Sequence, residues 1–136
     1  MSTPTAYIYF GIHGDFDPHE FSGRIPFSPD KSVAKHTSNP KRKIPKTSIL
    51  HYAELETFSA LIDIYNLAER SVDILEPHLE YFASAIRDFD AQATFQVVLY
   101  FPISQDVSTP IFGFSKRVVS FIAATGASID IDTYRS

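Results

Sequence analysis

Residues 71–101 read SVDILEPHLEYFASAIRDFDAQATFQVVLYF, and the spacing of the apolar side chains changes within this stretch. In the first part they recur at steps of four and three, which is typical of one face of an amphipathic helix. In the last part they alternate with other residues, as in a strand with one buried side. The stretch therefore predicts a helix over 71–89 lying on a strand over 94–101. The core-facing residues are Leu75, Leu79, Phe82, Ile86 and Phe89 on the helix, and Phe95, Val97, Leu99 and Phe101 on the strand.

Local signals place the start of this helix. Asp73, with Glu76 three residues later, forms a capping box. Pro77 then falls in the first helical turn, where its missing N–H does least harm. The preceding segment, 57–67, fits a helix or a strand, and we interpret it as a strand because its centre alternates.

Three further strands are predicted outside this stretch. Residues 7–13 alternate cleanly, whereas residues 49–55 alternate only imperfectly. Residues 128–134 form the last strand, in which Ile129 and Ile131 point to the core. The chain therefore opens and closes on strands.

Two more helices complete the order of elements. Asp17 is an N-cap with Pro18 at the first helical position, and Ser115 and Gly126 begin and end the last helix. Strands and helices in this order predict an α/β (α+β) two-layer sandwich. We expect a mixed or antiparallel sheet of four to five strands, with helices packed on one face, ferredoxin-like in character.

Composition narrows the class of protein. At 136 residues, 44% of them hydrophobic, the chain predicts a single domain over 1–136 with a substantial core. The absence of Cys excludes disulfides, thiolate catalysis and Cys-based metal sites. No apolar run or leader-like start is apparent, so we expect a cytoplasmic protein with no membrane partner.

The charge is unevenly distributed. Residues 26–46 are interpreted as a long loop with four prolines, and six of the twelve basic residues of the chain lie in its part 31–46, which has no acidic residue. The rest of the chain has six basic against sixteen acidic residues. Such a loop could bind phosphate, nucleic acid or a small ligand, although the net charge of −4 makes nucleic acid an unfavoured partner. The residues chosen for this role are Lys41, Arg42 and Lys43.

A second candidate surface is the side of the sheet that faces away from the helices. Alternation places tyrosines and aspartates there, and Tyr is enriched where proteins bind one another. This surface predicts a protein partner, and a homo-oligomer is also possible. The candidate binding residues are Tyr7, Tyr9, Tyr100, Asp130, Asp132 and Tyr134.

Three segments carry a family resemblance. They are the opening strand followed by Gly14–Phe21 and Gly23, the stretch Val72–Leu79, and the ending Phe114–Tyr134. In these the chain resembles the bacterial domain-of-unknown-function 4279 family. The resemblance implies a small bacterial cytosolic protein without an established enzymatic activity. Small proteins of this kind sometimes serve as immunity partners of secreted toxins.

Candidate catalytic residues have simpler interpretations. His13, Asp15, Asp17 and His19 include metal-ligand types, but a strand end, a turn and a helix cap explain the same residues. We therefore predict no catalytic residue, metal or cofactor. The leading hypothesis is a non-enzymatic protein-binding module, most plausibly a bacterial immunity protein that neutralises a toxin by occlusion. The alternative is a phosphate, nucleic-acid or small-ligand binding protein that uses the basic loop 31–46.

Overall fold

The computed structural model describes residues 4–101 and 109–135, without the side chains of Phe101 and Arg135. Phe101 was expected in the core, and its side chain lies outside the described residues. The strands and helices are β1 (Ala6–Gly14), α1 (Pro18–Ser22), β2 (Lys31–Val33), β3 (Ser48–Thr57), α2 (Ile64–Leu75), a 3-10 turn (Glu76–His78), α3 (Leu79–Asp88), β4 (Gln92–Phe101), α4 (Lys116–Thr125) and β5 (Ser128–Arg135).

The sheet has five strands in the order β2-β3-β1-β4-β5. Neighbouring strands are antiparallel, except that β5 is parallel to β4. The four antiparallel strands follow the β-α-β-β-α-β order of ferredoxin-like folds, and α4 leads to the added parallel strand. The predicted two-layer sandwich with a mixed sheet is confirmed.

The core lies between one face of the sheet and the helices. Phe10 of β1 meets Phe82 of α3 and Phe121 of α4, each with 5.3 Å between ring centroids. All three side chains are buried. Burial of one aromatic side chain contributes about 1.5–3 kcal/mol, so this three-ring contact is a principal link between the two layers.

The interpretation of residues 57–67 as a strand is wrong, because α2 begins at Ile64. The carboxylate of Asp63 caps this helix by accepting a hydrogen bond of 3.0 Å from the N–H of Asn66. The apolar residues of this region fit the period of a helix and that of a strand, and the Asp63 cap favours the helix. The helix face that packs on the sheet includes Leu67, Val72 and Leu75.

The predicted single helix over 71–89 is also wrong. It is divided by a 3-10 turn that contains Pro77, because a proline in a helix interior removes a backbone hydrogen bond. The proposed capping box is absent: Asp73 lies inside α2, and Arg117 of α4 donates to it at 2.6 Å and to Glu76 at 3.1 Å. These two acidic side chains therefore tie α4 to the last turn of α2 and to the 3-10 turn.

An irregularity in β3 explains its imperfect alternation. The register of β1 with β3 shifts between Ile8 and Phe10, where Ala53 has φ = 51°. One extra residue on β3 at this point is a β-bulge. The alternation of inward and outward side chains along β3 therefore reverses at Ala53.

Two predictions from the sequence are wrong at the edges of the sheet. Ile129 and Ile131, expected in the core, are each 42% exposed because β5 is an edge strand that the helices cover incompletely. The segment interpreted as an uninterrupted loop over 26–46 contains β2, which is held by backbone pairing with β3.

The predicted caps of the short and last helices are confirmed. The carboxylate of Asp17 accepts a hydrogen bond of 2.9 Å from the N–H of His19, and the hydroxyl of Ser115 accepts one of 3.2 Å from the N–H of Val118. Gly126 ends α4 with φ = 71°. Among the helices of the described ranges, none is both long and apolar enough to cross a bilayer.

Candidate binding surface

The face of the sheet opposite the helices carries a continuous row of rings, which we call the tyrosine row: Tyr134, Tyr100, Tyr7, Tyr9 and His51. Successive ring centroids lie 4.9, 6.4, 6.2 and 3.7 Å apart. The row crosses β5, β4, β1 and β3, so its members come from distant parts of the chain. Every tyrosine that we predicted for this face lies in the row.

Carboxylates flank the tyrosine row on both sides. Asp130 and Asp132 of β5 lie at one edge, as predicted, and all four flanking carboxylates are exposed. Glu54 and Glu56 of β3 lie on the other side, because the bulge at Ala53 turns them to this face. The surface is therefore acidic as well as aromatic.

The environment of Tyr7 and Tyr9 favours the neutral form of both phenol groups. Burial, followed by the neighbouring Tyr100, raises the pKa of Tyr7 to about 12. Burial also raises the pKa of Tyr9, and the charges of Glu54 and Asp132 raise it further. At neutral pH the row offers hydroxyl groups and ring faces within a field of negative charge.

Gln96 of β4 supports the acidic edge. The residue is only 8% exposed, and its Nε2 donates to Oδ2 of Asp132 at 3.2 Å. The register places Gln96 between Tyr9 and Asp130. A buried amide that donates to a carboxylate fixes the position of that carboxylate.

His51 closes the other end of the row as a neutral ring. Burial, with the nearby charge of Lys31, lowers the pKa of His51 to about 4. Its imidazole lies flat against Tyr9, and its Nδ1 is buried without a hydrogen-bond partner among the described residues. His51 is not among the residues predicted for this surface, because only the strand pairing places it beside Tyr9.

A hollow of about 550 Å³ lies beside the tyrosine row. Gly11 forms part of its floor, flanked by His51 on β3 and Thr94 on β4. A Cβ atom at Gly11 would lie 3.1 Å from Cε2 of Tyr9, so glycine allows the Tyr9 ring to lie close to the strand. Asp130 lies at the wall of the hollow.

The basic residues chosen from the sequence form a separate surface, the basic hairpin (Asn39–Ile44). Its backbone closes through a bridge between Asn39 and Ile44, and Arg42 N–H donates to the carbonyl oxygen of Asn39 at 3.2 Å. Lys41, Arg42 and Lys43 are exposed, and within the described ranges they make no salt bridge. The structure does not bring the basic hairpin into the tyrosine row.

The side chains of the segment 13–19 are directed to different partners. His13 Nε2 lies 3.1 Å from Oε1 of Gln92, Asp15 pairs with Lys35, and Asp17 caps α1. Lys35 accordingly lowers the pKa of Asp15. Across residues 4–101 and 109–135, no group of three or more His, Asp or Glu side chains is arranged to hold a metal ion.

Comparison with known proteins gives a family but no characterised relative. No curated protein and no solved structure matches the chain. The family model described as "Domain of unknown function (DUF4279)" matches residues 4–136, which is nearly the whole chain. The chain therefore belongs to the DUF4279 family.

Proposed function

We propose that this chain is a non-enzymatic, cytosolic protein-binding module that docks a positively charged partner onto the tyrosine row and its flanking carboxylates. One observation carries the proposal: four tyrosines lie in contact across a sheet face that the described helices leave open. Tyr side chains supply a large contact area and a hydrogen-bonding group at a small cost in conformational entropy.

Ring packing supports this role by ordering the surface before a partner arrives. Tyr100 stacks on Tyr134 at 4.9 Å and contacts Tyr7 at 6.4 Å. Each side chain ordered on binding costs about 0.5–1.5 kcal/mol, so a surface that is already ordered retains more of its contact energy.

Charge determines which partner fits. The carboxylates of Glu54, Glu56, Asp130 and Asp132 border the row, and a partner with a basic surface would be attracted to them. Proteins that act on polyanions carry such basic surfaces. Within this proposal the chain is an immunity protein, and its partner is a toxin that it neutralises by covering a basic working surface.

A matched pair of variants tests the docking face. Tyr134 is 52% exposed in the tyrosine row, and Tyr81 is 53% exposed on α3. With the protein encoded beside this chain's gene as the candidate partner, we expect Tyr134→Ser to weaken binding by about 1–2 kcal/mol and Tyr81→Ser to leave it unchanged. Calorimetric titration measures both, and equal effects of the two variants would contradict the proposal.

The basic hairpin supports a second candidate function, the binding of phosphate groups or nucleic acid. Its three cations project from a closed turn and make no salt bridge among the described residues. We expect neutralisation of Lys41, Arg42 and Lys43 together to abolish a salt-sensitive shift of RNA, DNA or nucleotide, whereas neutralisation of the exposed Lys116 and Arg70 leaves it intact. The absence of any shift at low salt would exclude this function.

A further inference from the structure

We propose that the hollow at Gly11 binds one guanidinium group, namely the end of an arginine side chain on the docked partner. The inference rests on the proposed function, since it specifies which chemical group the docking face recognises. Four features of the hollow carry it: its shape, its acceptor groups, its charge and the ring that borders it.

The shape of the hollow suits the end of a side chain from a docked protein. Gly11 puts no side chain between Tyr9 and His13 on the outward side of β1, and this gap forms part of the floor of the hollow. The volume of about 550 Å³ lies within the roughly 300–1,000 Å³ of ligand pockets in proteins. The hollow is open towards the solvent-facing side of the sheet, so a side chain of a docked protein can enter it.

The polar groups of the hollow favour a donor-rich guest. The amide nitrogen of Gln96 donates to Asp132 and to the carbonyl oxygen of Val97. The other hydrogen-bonding atom of this amide is Oε1, which is an acceptor. The hydroxyls of Thr94 and Ser128 lie 3.4 Å apart in the same wall and can each accept a hydrogen bond. A guanidinium group donates five N–H bonds and accepts none, which suits these acceptors.

Charge favours a cation at this position. The Asp130 carboxylate is exposed at the wall of the hollow, and it pairs in register with Gln96. Carboxylates form bidentate hydrogen bonds with guanidinium groups. The neighbouring His51 has its pKa lowered to about 4 by burial, so its ring adds no positive charge to the opposite wall at neutral pH.

The ring of Tyr9 distinguishes a guanidinium from an ammonium. Tyr9 lines the hollow and is fixed by His51, which stacks on it at 3.7 Å. A planar guanidinium stacks on an aromatic ring while it donates in its own plane to a carboxylate. An ammonium is a compact, strongly hydrated charge that gains less from the same surroundings.

The test is a titration of the ¹⁵N-labelled full chain with three small probes, followed by amide chemical shifts. The probes are N-acetyl-arginine amide, N-acetyl-lysine amide and N-acetyl-citrulline amide, the last of which keeps the shape of arginine without its charge. We expect saturable shifts at Gly11, Thr94 and Asp130 with the arginine probe, and an affinity about tenfold lower for citrulline. Equal affinity for citrulline, equal affinity for lysine, or shifts elsewhere on the chain would overturn the assignment.

Two variants test the counter-ion. Asp130→Asn removes the charge at the hollow, and Glu80→Gln removes a carboxylate on α3, outside the residues that line the hollow. Both positions are exposed, so neither substitution disturbs the core. We expect Asp130→Asn to weaken binding of the arginine probe about tenfold and Glu80→Gln to leave it unchanged, and an unaltered affinity in Asp130→Asn would contradict the proposal.

The two proposals fail in different ways. If Tyr134→Ser weakens the partner but the arginine probe never shifts Gly11, the docking face stands and the guanidinium site is wrong. If the probe occupies the hollow but Tyr134→Ser and Tyr81→Ser bind the partner equally, the site stands and the docking proposal is wrong.

Discussion

The two faces of the sheet use alternate residues of the same strands for opposite purposes. On β1, Ile8 and Phe10 are fully buried beneath the helices, whereas Tyr7 and Tyr9, which alternate with them, belong to the open tyrosine row. Both faces are rich in aromatic side chains, but Phe10 meets Phe82 edge to face in the core, whereas Tyr7 and Tyr9 on the open face have nearly parallel rings. Apolar rings on one side stabilise the fold, and hydroxyl-bearing rings on the other form the surface that we propose docks a partner.

The largest effect that separates the two faces is a loss of core packing. We expect Phe82→Ala to lower the free energy of unfolding by about 3–5 kcal/mol, because Phe82 is fully buried against Phe10 and Tyr52. Tyr134→Ala removes an exposed ring and should lower it by less than about 1 kcal/mol. Urea denaturation measures both, and comparable losses would show that the two faces are not different in kind.

The bulge at Ala53 sets which side chains of β3 reach the open face. Its φ of 51° is unfavourable for a β-branched residue, so we expect Ala53→Val to destabilise the fold by about 2–3 kcal/mol. Ala53→Gly, which accepts this conformation, is the matched control and should change the stability by less than about 1 kcal/mol. Equal tolerance of Val and Gly in thermal denaturation would argue against the bulge.

His51 makes the open face sensitive to pH. Its pKa is about 4 in the fold against an ordinary 6.5, so as the pH falls through this window the unfolded chain takes up a proton before the folded chain does. We expect the free energy of unfolding to fall by roughly 1–2 kcal/mol, less than the full difference in pKa implies because solvent reaches part of the ring.

Urea denaturation just above and just below this window measures the effect. His51→Gln should reduce the pH dependence, whereas His19→Gln, at an exposed position of α1, should retain it. An unchanged pH dependence in His51→Gln would show that the ring does not titrate as described.

The smallest effect concerns Tyr52, a tyrosine on the core face of the sheet. Tyr52 points into the core, where burial raises its pKa and its hydroxyl has no hydrogen-bond partner among the described residues. We expect Tyr52→Phe to raise the free energy of unfolding by about 1 kcal/mol, because an unpaired buried hydroxyl is removed. Tyr100→Phe on the open face should leave it nearly unchanged, and a loss of stability in Tyr52→Phe would reveal a partner for that hydroxyl.

Sequence periodicity predicted the open face well where strands are regular. Tyr7, Tyr9 and Tyr100 were assigned to it because alternation is a local property of β1 and β4. His51 and Glu54 were missed, because the bulge that sets their phase depends on pairing with β1. The inward side of a regular strand can be predicted from the sequence. A bulge that depends on pairing with another strand cannot.

Helix boundaries and burial at the sheet edge were less predictable for a related reason. The start of α2 at Ile64 depended on whether Asp63 acts as a cap, and the apolar spacing fitted either answer. Ile129 and Ile131 have a core-like pattern, yet β5 lies at an edge that only the strand order defines. Local sequence signals therefore predicted the helices and strands better than they predicted which elements lie beside one another.

Solvent protection of tyrosine rings in the complex with the partner tests the central claim most directly. Hydroxyl-radical footprinting of the free and bound chain reports each ring separately. We expect protection of Tyr7, Tyr100 and Tyr134 on binding, with the exposed Tyr65 and Tyr81 on the helices unchanged. Protection of Tyr65 and Tyr81 with no change along the tyrosine row would contradict the account.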